Sequence, residues 1–318
     1  MGGAPPDLAD EAMVARAHER FAAERRRTRK ARRARQGALP NLIVIGGLKC
    51  GTTSLHHYLN LHPEVEMSRP KELNFFVEEL NWDLGADWYR SHFRAHAAVR
   101  GETSPHYTNR PRFQGVAKRM RETLGAEARV VYVVRHPLER LLSHYLHSVG
   151  GGYEVRELAD AVADPACAYV QRGRYAFQLD PYLEAFGEEG ILIVSREELG
   201  RDREATMRRV FGFAGVDRDF TSEQFRREWE TGSGKGSGGF RLMDRAVRMP
   251  GLRALDRNFD RLPERMRWLV ERVVHDPGSG EAPKPELADP LRQRLAAVFR
   301  PDAERLEALA GRSFGWDL

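Results

Sequence analysis

The sequence has few cysteines and no long apolar run. Its 318 residues include two cysteines, Cys50 and Cys167, which are too few for a disulfide framework and are typical of a reducing compartment. No stretch approaches the roughly 18 uninterrupted apolar residues of a transmembrane helix. Residues 1–10 lack the basic and then apolar layout of a secretory signal. We therefore expect a cytoplasmic protein without a membrane span.

The chain also lacks a charge excess outside its N-terminus. Residues 1–38 hold ten Arg and Lys side chains against five acidic ones, and the remaining chain holds 41 of each. The run RRRTRKARRAR could bind nucleic acid or an anionic surface. A solvated extension, helical or flexible, explains the same composition, and no nucleic-acid-binding motif supports the first interpretation. We expect nucleic acid not to be a partner, and a single domain over residues 39–318.

Three short apolar runs alternate with helical patterns. NLIVIGG, ARVVYVVRHP and GILIVSREEL are rich in β-branched residues and predict buried strands. Helices are predicted over Thr52 to Leu61, from Pro137 onward, and over Tyr175 to Phe186. This alternation predicts an α/β fold with a central parallel sheet covered by helices on both faces.

Weaker patterns fill the rest of the domain. AVRGETSPHY favours a further strand that ends at the polar cluster Glu102 to His106. After Phe240 the pattern is helical, in the segments PERMRWLVERVV, DPLRQRLAAVF and PDAERLEALA. The last two segments are each predicted to begin at a paired Asp and Pro.

The segment IGGLKCGTTSLHHYL combines a strand end, a glycine turn and a helix start. The backbone amides of Gly51 to Thr53 and the hydroxyls of Thr52, Thr53 and Ser54 predict a cradle for a phosphate-like anion, with Lys49 as its cation. A Walker loop carries its lysine after the second glycine, whereas Lys49 precedes Gly51, so ATP or GTP hydrolysis is not expected. Cys50 within the loop is interpreted as a backbone position and not as a nucleophile.

The second strand ends in a cation where a nucleotide hydrolase would carry a magnesium-binding acid. Arg135 follows VVYVV directly, and Ser143 comes eight residues later, about two helical turns along the next helix. This pair predicts direct binding of a second anionic group. The alternative is an ion pair between Arg135 and Glu139 at the helix start.

Two other sequence features are candidates for ligand binding. TGSGKGSGG, residues 231–239, is either a linker or a flap that grips an anion through Lys235. His144 and His147 have a spacing suited to a metal, but no further acid or cysteine completes the set, and we expect no metal.

Several motifs together resemble those of sulfotransferases that use 3'-phosphoadenosine 5'-phosphosulfate (PAPS). GGLKCGTTSL resembles their 5'-phosphosulfate loop, and RHPLERLLSHY resembles their 3'-phosphate motif. RPKELNFF, GRYAFQLDPYLEAF and LEALAGRSFGWDL resemble segments of the heparan sulfate branch, so the similarity runs from Asn41 to Leu318. The resemblance implies a three-layer, P-loop-like sandwich, a helical C-terminal part, and transfer of a sulfuryl group from PAPS.

The resemblance also implies roles for particular residues. Lys49, the backbone of Cys50, and Gly51 to Ser54 would hold the 5'-phosphosulfate, and Arg135 and Ser143 the 3'-phosphate. Lys235 and Gly236 match a late loop that closes over the nucleotide. Glu72 is the leading general base and His106 the reserve. The residues implied at the acceptor are Lys71, Phe75, Phe76, Ser104 and Tyr175.

One departure from the heparan sulfate branch affects the acceptor. Glycosaminoglycan-modifying members commonly carry a lysine at the position of Thr103, after the Glu of the GE-x-SP strand end. The sequence therefore favours a hydroxyl or amine of a small metabolite, lipid or glycoconjugate as the acceptor. Two other function classes remain open: a kinase-like transferase with a variant phosphate loop, and a non-catalytic nucleic-acid-binding protein that acts through its Arg-rich tail.

Overall fold

The domain is built on a five-stranded parallel sheet. The computed structural model describes residues 37–226 and 287–318, together with a few positions between 11 and 22. The strands are β1 (Leu42–Gly46), β2 (Val65–Met67), β3 (Val99–Thr103), β4 (Arg129–Val134) and β5 (Ile191–Ser195). They lie in the order β2-β3-β1-β4-β5, and every pairing is parallel. The predicted α/β fold with a parallel sheet is confirmed.

Helices follow each strand. The described helices are α1 (Thr52–Leu59), α2 (Gly85–Arg90), α3 (Val116–Leu124), α4 (Pro137–Gly150), α5 (Leu158–Ala161), α6 (Ala168–Gln171), α7 (Tyr175–Phe186), α8 (Arg196–Arg201), α9 (Arg203–Ala214) and α10 (Asp289–Ala310). Short 3-10 turns cover Trp82–Leu84, Pro105–Thr108 and Glu223–Arg226.

Most predicted boundaries are confirmed. The predicted bounds of α7 are observed, and α4 begins at Pro137. Helix α1 ends at Leu59, two residues before the predicted end. Strand β2 was not predicted because it is three residues long and carries Glu66 at its centre.

The two predicted C-terminal helices form one helix, α10, with Pro301 inside it. The prediction was wrong because the Pro-Asp pair at 301–302 caps a different helix. The carboxylate of Asp302 accepts hydrogen bonds from the backbone amides of Ala176 (3.0 Å) and Phe177 (2.9 Å) in the first turn of α7. Phe299 and Leu306, both buried, hold α10 in the core on either side of Pro301. The predicted helix over PERMRWLVERVV lies outside the described residues.

Two hydrophobic cores hold these layers together. The larger core takes in the whole sheet, for which Ile43 and Val131 are typical, and a smaller one joins α4, α5, α6 and α10. Part of the N-terminal extension also contributes, because the buried ring of Phe21 packs edge-on against Trp88 at 5.3 Å. The boundary at residue 38 stays a prediction.

The strand order identifies the edge where a ligand is expected. The chain leaves β1 toward β2 on one side of the sheet and leaves β4 toward β5 on the other. Right-handed crossovers therefore place α1 and α7 on opposite faces. The crevice beyond the carboxyl ends of β1 and β4 is the switch point of this topology, which is where open parallel sheets bind ligands.

Candidate active site

The loop between β1 and α1 forms a tight turn at the switch point. Gly51 has a φ of 89°, which favours glycine, and Lys49 adopts a φ of 66°. The amide of Cys50 donates to the carbonyl of Gly47 at 3.2 Å, and the amide of Gly47 donates to the carbonyl of Val133 in β4. The left-handed geometry at Lys49 is strained for a side chain with a Cβ, and such strain is found often at functional sites.

The start of α1 suits an anion. The helix has no side-chain cap and no acidic residue in its first turn. The first amides of a helix have no partner within the helix and lie at the positive end of its dipole. This geometry is compatible with the predicted cradle at Thr52, Thr53 and Ser54, and anion binding there stays a prediction.

Cys50 is buried beneath this loop. Its Sγ lies 3.7 Å from the carbonyl oxygen of Leu48 and 3.5 Å from the hydroxyl of Tyr175. Burial raises the pKa of the thiol, which disfavours the nucleophilic thiolate. This position supports the interpretation of Cys50 as a structural residue of the loop.

Tyr175 connects the loop to the end of β4. Its hydroxyl donates to the carbonyl of Arg135 at 2.7 Å and accepts from the amide of Arg135 at 3.3 Å. The side chain is 0% exposed, so it has no free face for a substrate. The structure therefore gives Tyr175 a positioning role at Arg135 in place of the predicted contact with the acceptor.

Arg135 lies between the loop and α4. Its guanidinium donates to the carbonyl of Lys49 at 3.4 Å and to Glu139 Oε2 at 3.2 Å. The predicted alternative, an ion pair with Glu139, is thus present, although half of the Glu139 side chain is exposed. Ser143 is nearly buried on α4, two turns further along. Because the Glu139 carboxylate is half exposed, solvent screens this ion pair, and an anion can compete with Glu139 for Arg135.

A second arginine at this edge was missed in the sequence. Arg196 follows β5 as Arg135 follows β4, and its Cγ lies 3.6 Å from the position that a Cβ on Gly51 would take. Burial lowers the pKa of Arg135, and the nearby charge of Arg196 lowers it further. Two neighbouring guanidinium groups repel each other unless an anion lies near both. The position of Arg196 directly after a predicted buried strand could have identified it in the sequence, as it did for Arg135.

Lys71 and Glu72 reach the cradle from the segment between β2 and α2. The Lys71 ammonium donates to Thr52 Oγ1 at 3.4 Å, Thr53 Oγ1 at 3.1 Å and Glu72 Oε1 at 3.0 Å. Their side chains are 20% and 35% exposed, respectively. The structure therefore brings the predicted base and the predicted anion cradle together.

The backbone around Glu72 is fixed by β3 and the residues after it. The amide of Thr103 and the Ser68 hydroxyl both donate to the carbonyl of Lys71 at 3.3 Å. The amide of Asn74 donates to Ser104 Oγ at 3.0 Å, and Asn81 Nδ2 donates to the carbonyl of Leu73 at 2.7 Å. The segment is therefore held rigidly while its two charged side chains remain accessible.

Glu102 lies at the centre of this support and was not singled out from the sequence. The carboxylate is 0% exposed and accepts from the hydroxyls of Tyr89 (2.9 Å), Tyr107 and Ser104 (3.4 Å), and from the backbone of Leu73. Burial raises the pKa of Glu102 from 4.5 to about 7, although these hydrogen bonds oppose the rise. A sequence pattern does not reveal such burial.

The remaining predicted acceptor residues pack in the interior. Phe75 and Phe76 are buried, and the Phe75 ring stacks on Tyr89 with centroids 4.3 Å apart. Ser104 is buried beside Glu102. These positions support the Glu72 segment, and direct contact of the three residues with an acceptor stays a prediction.

His106, the reserve base, is buried in the turn Pro105–Thr108 and is not a surface residue. Arg172 Nη2 lies 3.5 Å from its Nδ1. Because a guanidinium can only donate, this Nδ1 accepts, and the proton of the neutral ring is on Nε2. A base role for this nitrogen would have to compete with its contact to Arg172. This arrangement favours Glu72 over His106.

The predictions for the loop at Lys235 and for a metal site are not tested by the structure. Lys235 and Gly236 lie outside the described residues. Across 37–226 and 287–318, no group of three or more His, Cys, Asp or Glu side chains lies together as a metal site would need. The expectation of no metal stays a prediction.

The sulfotransferase domain model matches residues 39–235, which is more than half of the chain. The chain belongs to the sulfotransferase family. It is similar to mouse heparan sulfate glucosamine 3-O-sulfotransferase 6, with 27% identity over 287 residues that cover 87% of this chain and 74% of the relative. A Caenorhabditis elegans bifunctional heparan sulfate N-deacetylase/N-sulfotransferase 1 is 26% identical over 74% of this chain, but that match spans 28% of its own length.

A solved bacterial structure supports the same assignment. The sulfotransferase from Alicyclobacillus acidocaldarius superposes with a TM-score of 0.61 at 25% identity, over 87% of this chain and 98% of that one. This sulfotransferase therefore shares both sequence and architecture with its family. None of its described helices is long and apolar enough to cross a bilayer.

Proposed function

We propose that this sulfotransferase uses PAPS as its donor and transfers the sulfuryl group in line to an acceptor hydroxyl or amine, with Glu72 as general base. The observation that carries the proposal is the contact of the Lys71 and Glu72 pair with Thr52 and Thr53, which brings a carboxylate to an anion cradle. An anion site beside an accessible base is what sulfuryl transfer needs.

The residues present fit a donor with two anionic ends. The cradle of Gly51 to Ser54 would hold the 5'-phosphosulfate through amides and hydroxyls, without a competing acidic residue in the first turn of α1. Arg135, Ser143 and Arg196 would hold the 3'-phosphate at the ends of β4 and β5. The bound donor would supply an activated sulfuryl group.

Each charge change in the reaction has a residue to receive it. Glu72 would accept the proton of the acceptor as the acceptor atom forms its bond to sulfur. Lys49, in the loop between β1 and α1, would neutralise the charge that develops on the 5'-phosphate oxygen when the bond from sulfur to that oxygen breaks. No covalent bond to the protein is needed, which agrees with the buried thiol of Cys50.

We propose a small metabolite, lipid or glycoconjugate as the acceptor. The relatives named above act on heparan sulfate glucosamine or carry a heparan sulfate N-sulfotransferase activity in their names. In this chain the Thr103 hydroxyl is buried and lies 3.0 Å from His56 Nδ1, so it offers no cation to a polyanionic chain. A cytoplasmic location remains our expectation.

Calorimetry with 3'-phosphoadenosine 5'-phosphate (PAP), without added metal, tests the donor assignment. We expect micromolar binding that weakens at least about tenfold in Arg135→Ala, because a charge-assisted contact to the 3'-phosphate is lost. Absence of PAP binding together with metal-dependent ATP binding would instead support the kinase-like alternative. Deletion of residues 1–38 should leave PAP binding unchanged if the basic tail plays no part in the chemistry.

A further inference from the structure

The ammonium of Lys71 occupies an electrostatically unfavourable place. It lies within 3.4 Å of both threonine hydroxyls at the start of α1, which is the positive end of the helix dipole. A cation is stabilised at the opposite end of a helix, and an anion at this one. Within the part of the chain that the structure describes, the only carboxylate that accepts a hydrogen bond from this ammonium is that of its neighbour Glu72.

We propose that Lys71 binds the sulfuryl group of the donor, and that it leaves Glu72 when the donor arrives. This assignment rests on the proposed function and changes the predicted role of Lys71 from acceptor binding to donor recognition. In the free protein Lys71 engages the Glu72 carboxylate. With its ammonium moved to the sulfuryl oxygens, Lys71 no longer competes with the acceptor proton for the Glu72 carboxylate.

The surroundings of Lys71 allow this exchange. The backbone of Lys71 is fixed, since its carbonyl accepts from Thr103 and Ser68. The side chain is 20% exposed, and its ammonium lies at the end of a flexible four-carbon stem. The ammonium can therefore move without a change in the backbone. The Glu72 partner is 35% exposed, so solvent screens the ion pair in part, and a sulfuryl group at the same hydroxyls can compete with Glu72 for the ammonium.

The exchange would distinguish loaded donor from spent nucleotide. Arg135, at the end of β4, is placed to recognise the 3'-phosphate, which PAPS and PAP share. Lys71 lies at the cradle, where only PAPS places a sulfuryl group. Lys71 should therefore add to the affinity for PAPS and contribute little to the affinity for PAP. Once the sulfuryl group has left, Lys71 returns to Glu72, which favours release of PAP.

Calorimetric affinities for PAPS and PAP in matched variants test this assignment. We expect Lys71→Met to weaken PAPS at least about tenfold and PAP by less than about threefold, because one charge-assisted contact is lost only with PAPS. Lys71→Arg should restore part of the preference for PAPS. Lys118→Met is the control, since Lys118 pairs with Glu122 on the surface of α3, away from the cradle, and should change neither affinity.

The other outcomes overturn the inference. Equal weakening of PAPS and PAP in Lys71→Met would show a general or structural role, and no change in PAPS affinity would remove Lys71 from the donor site. A fall in both affinities in Arg135→Ala, with Lys71→Met inert, would retain the proposed function and reject the role of Lys71. No binding of either nucleotide to the wild type would reject the proposed function itself.

A variant of Glu72 tests whether Lys71 leaves this carboxylate when the donor binds. Glu72→Gln removes the carboxylate that holds Lys71 in the free protein, so PAPS affinity should rise by about threefold or more while PAP affinity stays the same. Selective weakening of PAPS in Glu72→Gln would contradict the exchange, because it would mean that the intact pair binds the donor.

Discussion

Glu72 and Glu102 are two carboxylates of one small region in contrasting environments. Glu72 is one-third exposed beside Lys71, and Glu102 is wholly buried among hydroxyls. An accessible carboxylate can exchange a proton with a substrate, whereas a buried one holds the surrounding chain in place. We therefore expect the change of Glu72 to Gln to affect turnover and the change of Glu102 to Gln to affect stability.

Glu72→Gln should reduce turnover by at least about a hundredfold while PAP affinity stays intact, since the amide cannot accept the acceptor proton. Initial rates with labelled PAPS and calorimetry with PAP would measure the two effects. Glu78→Gln is a matched control, because Glu78 lies in the same stretch of chain, is exposed and pairs with Arg119. Unchanged turnover in Glu72→Gln would transfer the base role to His106 or to another group.

Glu102→Gln should change how stability depends on pH. The pKa of Glu102 is about 7 in the fold against an ordinary 4.5, so between these values the native state keeps a proton that the unfolded chain has lost. Stability therefore falls as pH rises through this window, by up to roughly 3 kcal/mol. The amide does not ionise, so relative to the wild type the variant should gain stability between pH 5 and pH 8 in urea unfolding.

Glu154→Gln is the control, because the pKa of Glu154 is shifted in the direction opposite to that of Glu102. The Arg156 side chain, through its hydrogen bonds, lowers the pKa of Glu154 to about 2. Its stabilising effect is present above the ordinary value and is lost as pH falls toward 2. Glu154→Gln should therefore show no change in relative stability between pH 5 and pH 8. A gain in this control equal to that of Glu102→Gln would contradict the assignment to Glu102.

Among the secondary-structure elements, α7 supports the backbone of Arg135, which we propose as part of the donor site. Its first residue, Tyr175, binds the backbone of Arg135, and its first turn is capped by Asp302 from α10. Binding of the proposed donor at β4 would thus depend on how a helix from later in the chain packs against α7.

Tyr175→Phe should weaken PAP about fivefold and lower the free energy of unfolding by about 1 kcal/mol, because a buried hydroxyl that positions Arg135 is removed. Tyr145→Phe removes a comparable hydroxyl, which donates to the carbonyl of Arg156 at 2.8 Å in the smaller core. The control should lose similar stability and keep its PAP affinity. Equal loss of affinity in both variants would argue against a specific role for Tyr175.

Local sequence signals predicted some elements and not others. The pattern of α7 lies between Gly173 and Gly187, so both of its ends are marked in the sequence. Asp302 also follows a proline, which is a typical signal for a helix start, but its partners, Ala176 and Phe177, lie far away in sequence. The prediction therefore assigned Asp302 to the wrong helix.

The site residues divide in a similar way. Lys49, Arg135 and Glu72 were predicted from short motifs. The burial of Glu102, Phe75 and Phe76 depends on packing against distant parts of the chain, which a short motif does not show.

In the molecule as a whole, we expect the N-terminal tail to contribute to stability and not to catalysis. Deletion of residues 1–38 should leave turnover unchanged and lower the Tm by several degrees, because the buried ring of Phe21 and its contact with Trp88 are lost, worth about 2 kcal/mol. Phe21→Ala in the full chain should reproduce most of the loss in a thermal melt. A deletion that abolishes turnover at a temperature where the protein stays folded would give the tail a part in the reaction.

The capping of α7 by Asp302 also affects the order in which the newborn chain can mature. Synthesis runs from the N-terminus, so α7 leaves the ribosome well over a hundred residues before Asp302 exists. Until then the first turn of α7, with Tyr175, lacks its cap, and the anchor of Arg135 is incomplete. We expect fragments that stop before α10 to be recognised by chaperones and proteases, although they contain every side chain that we propose to bind the donor.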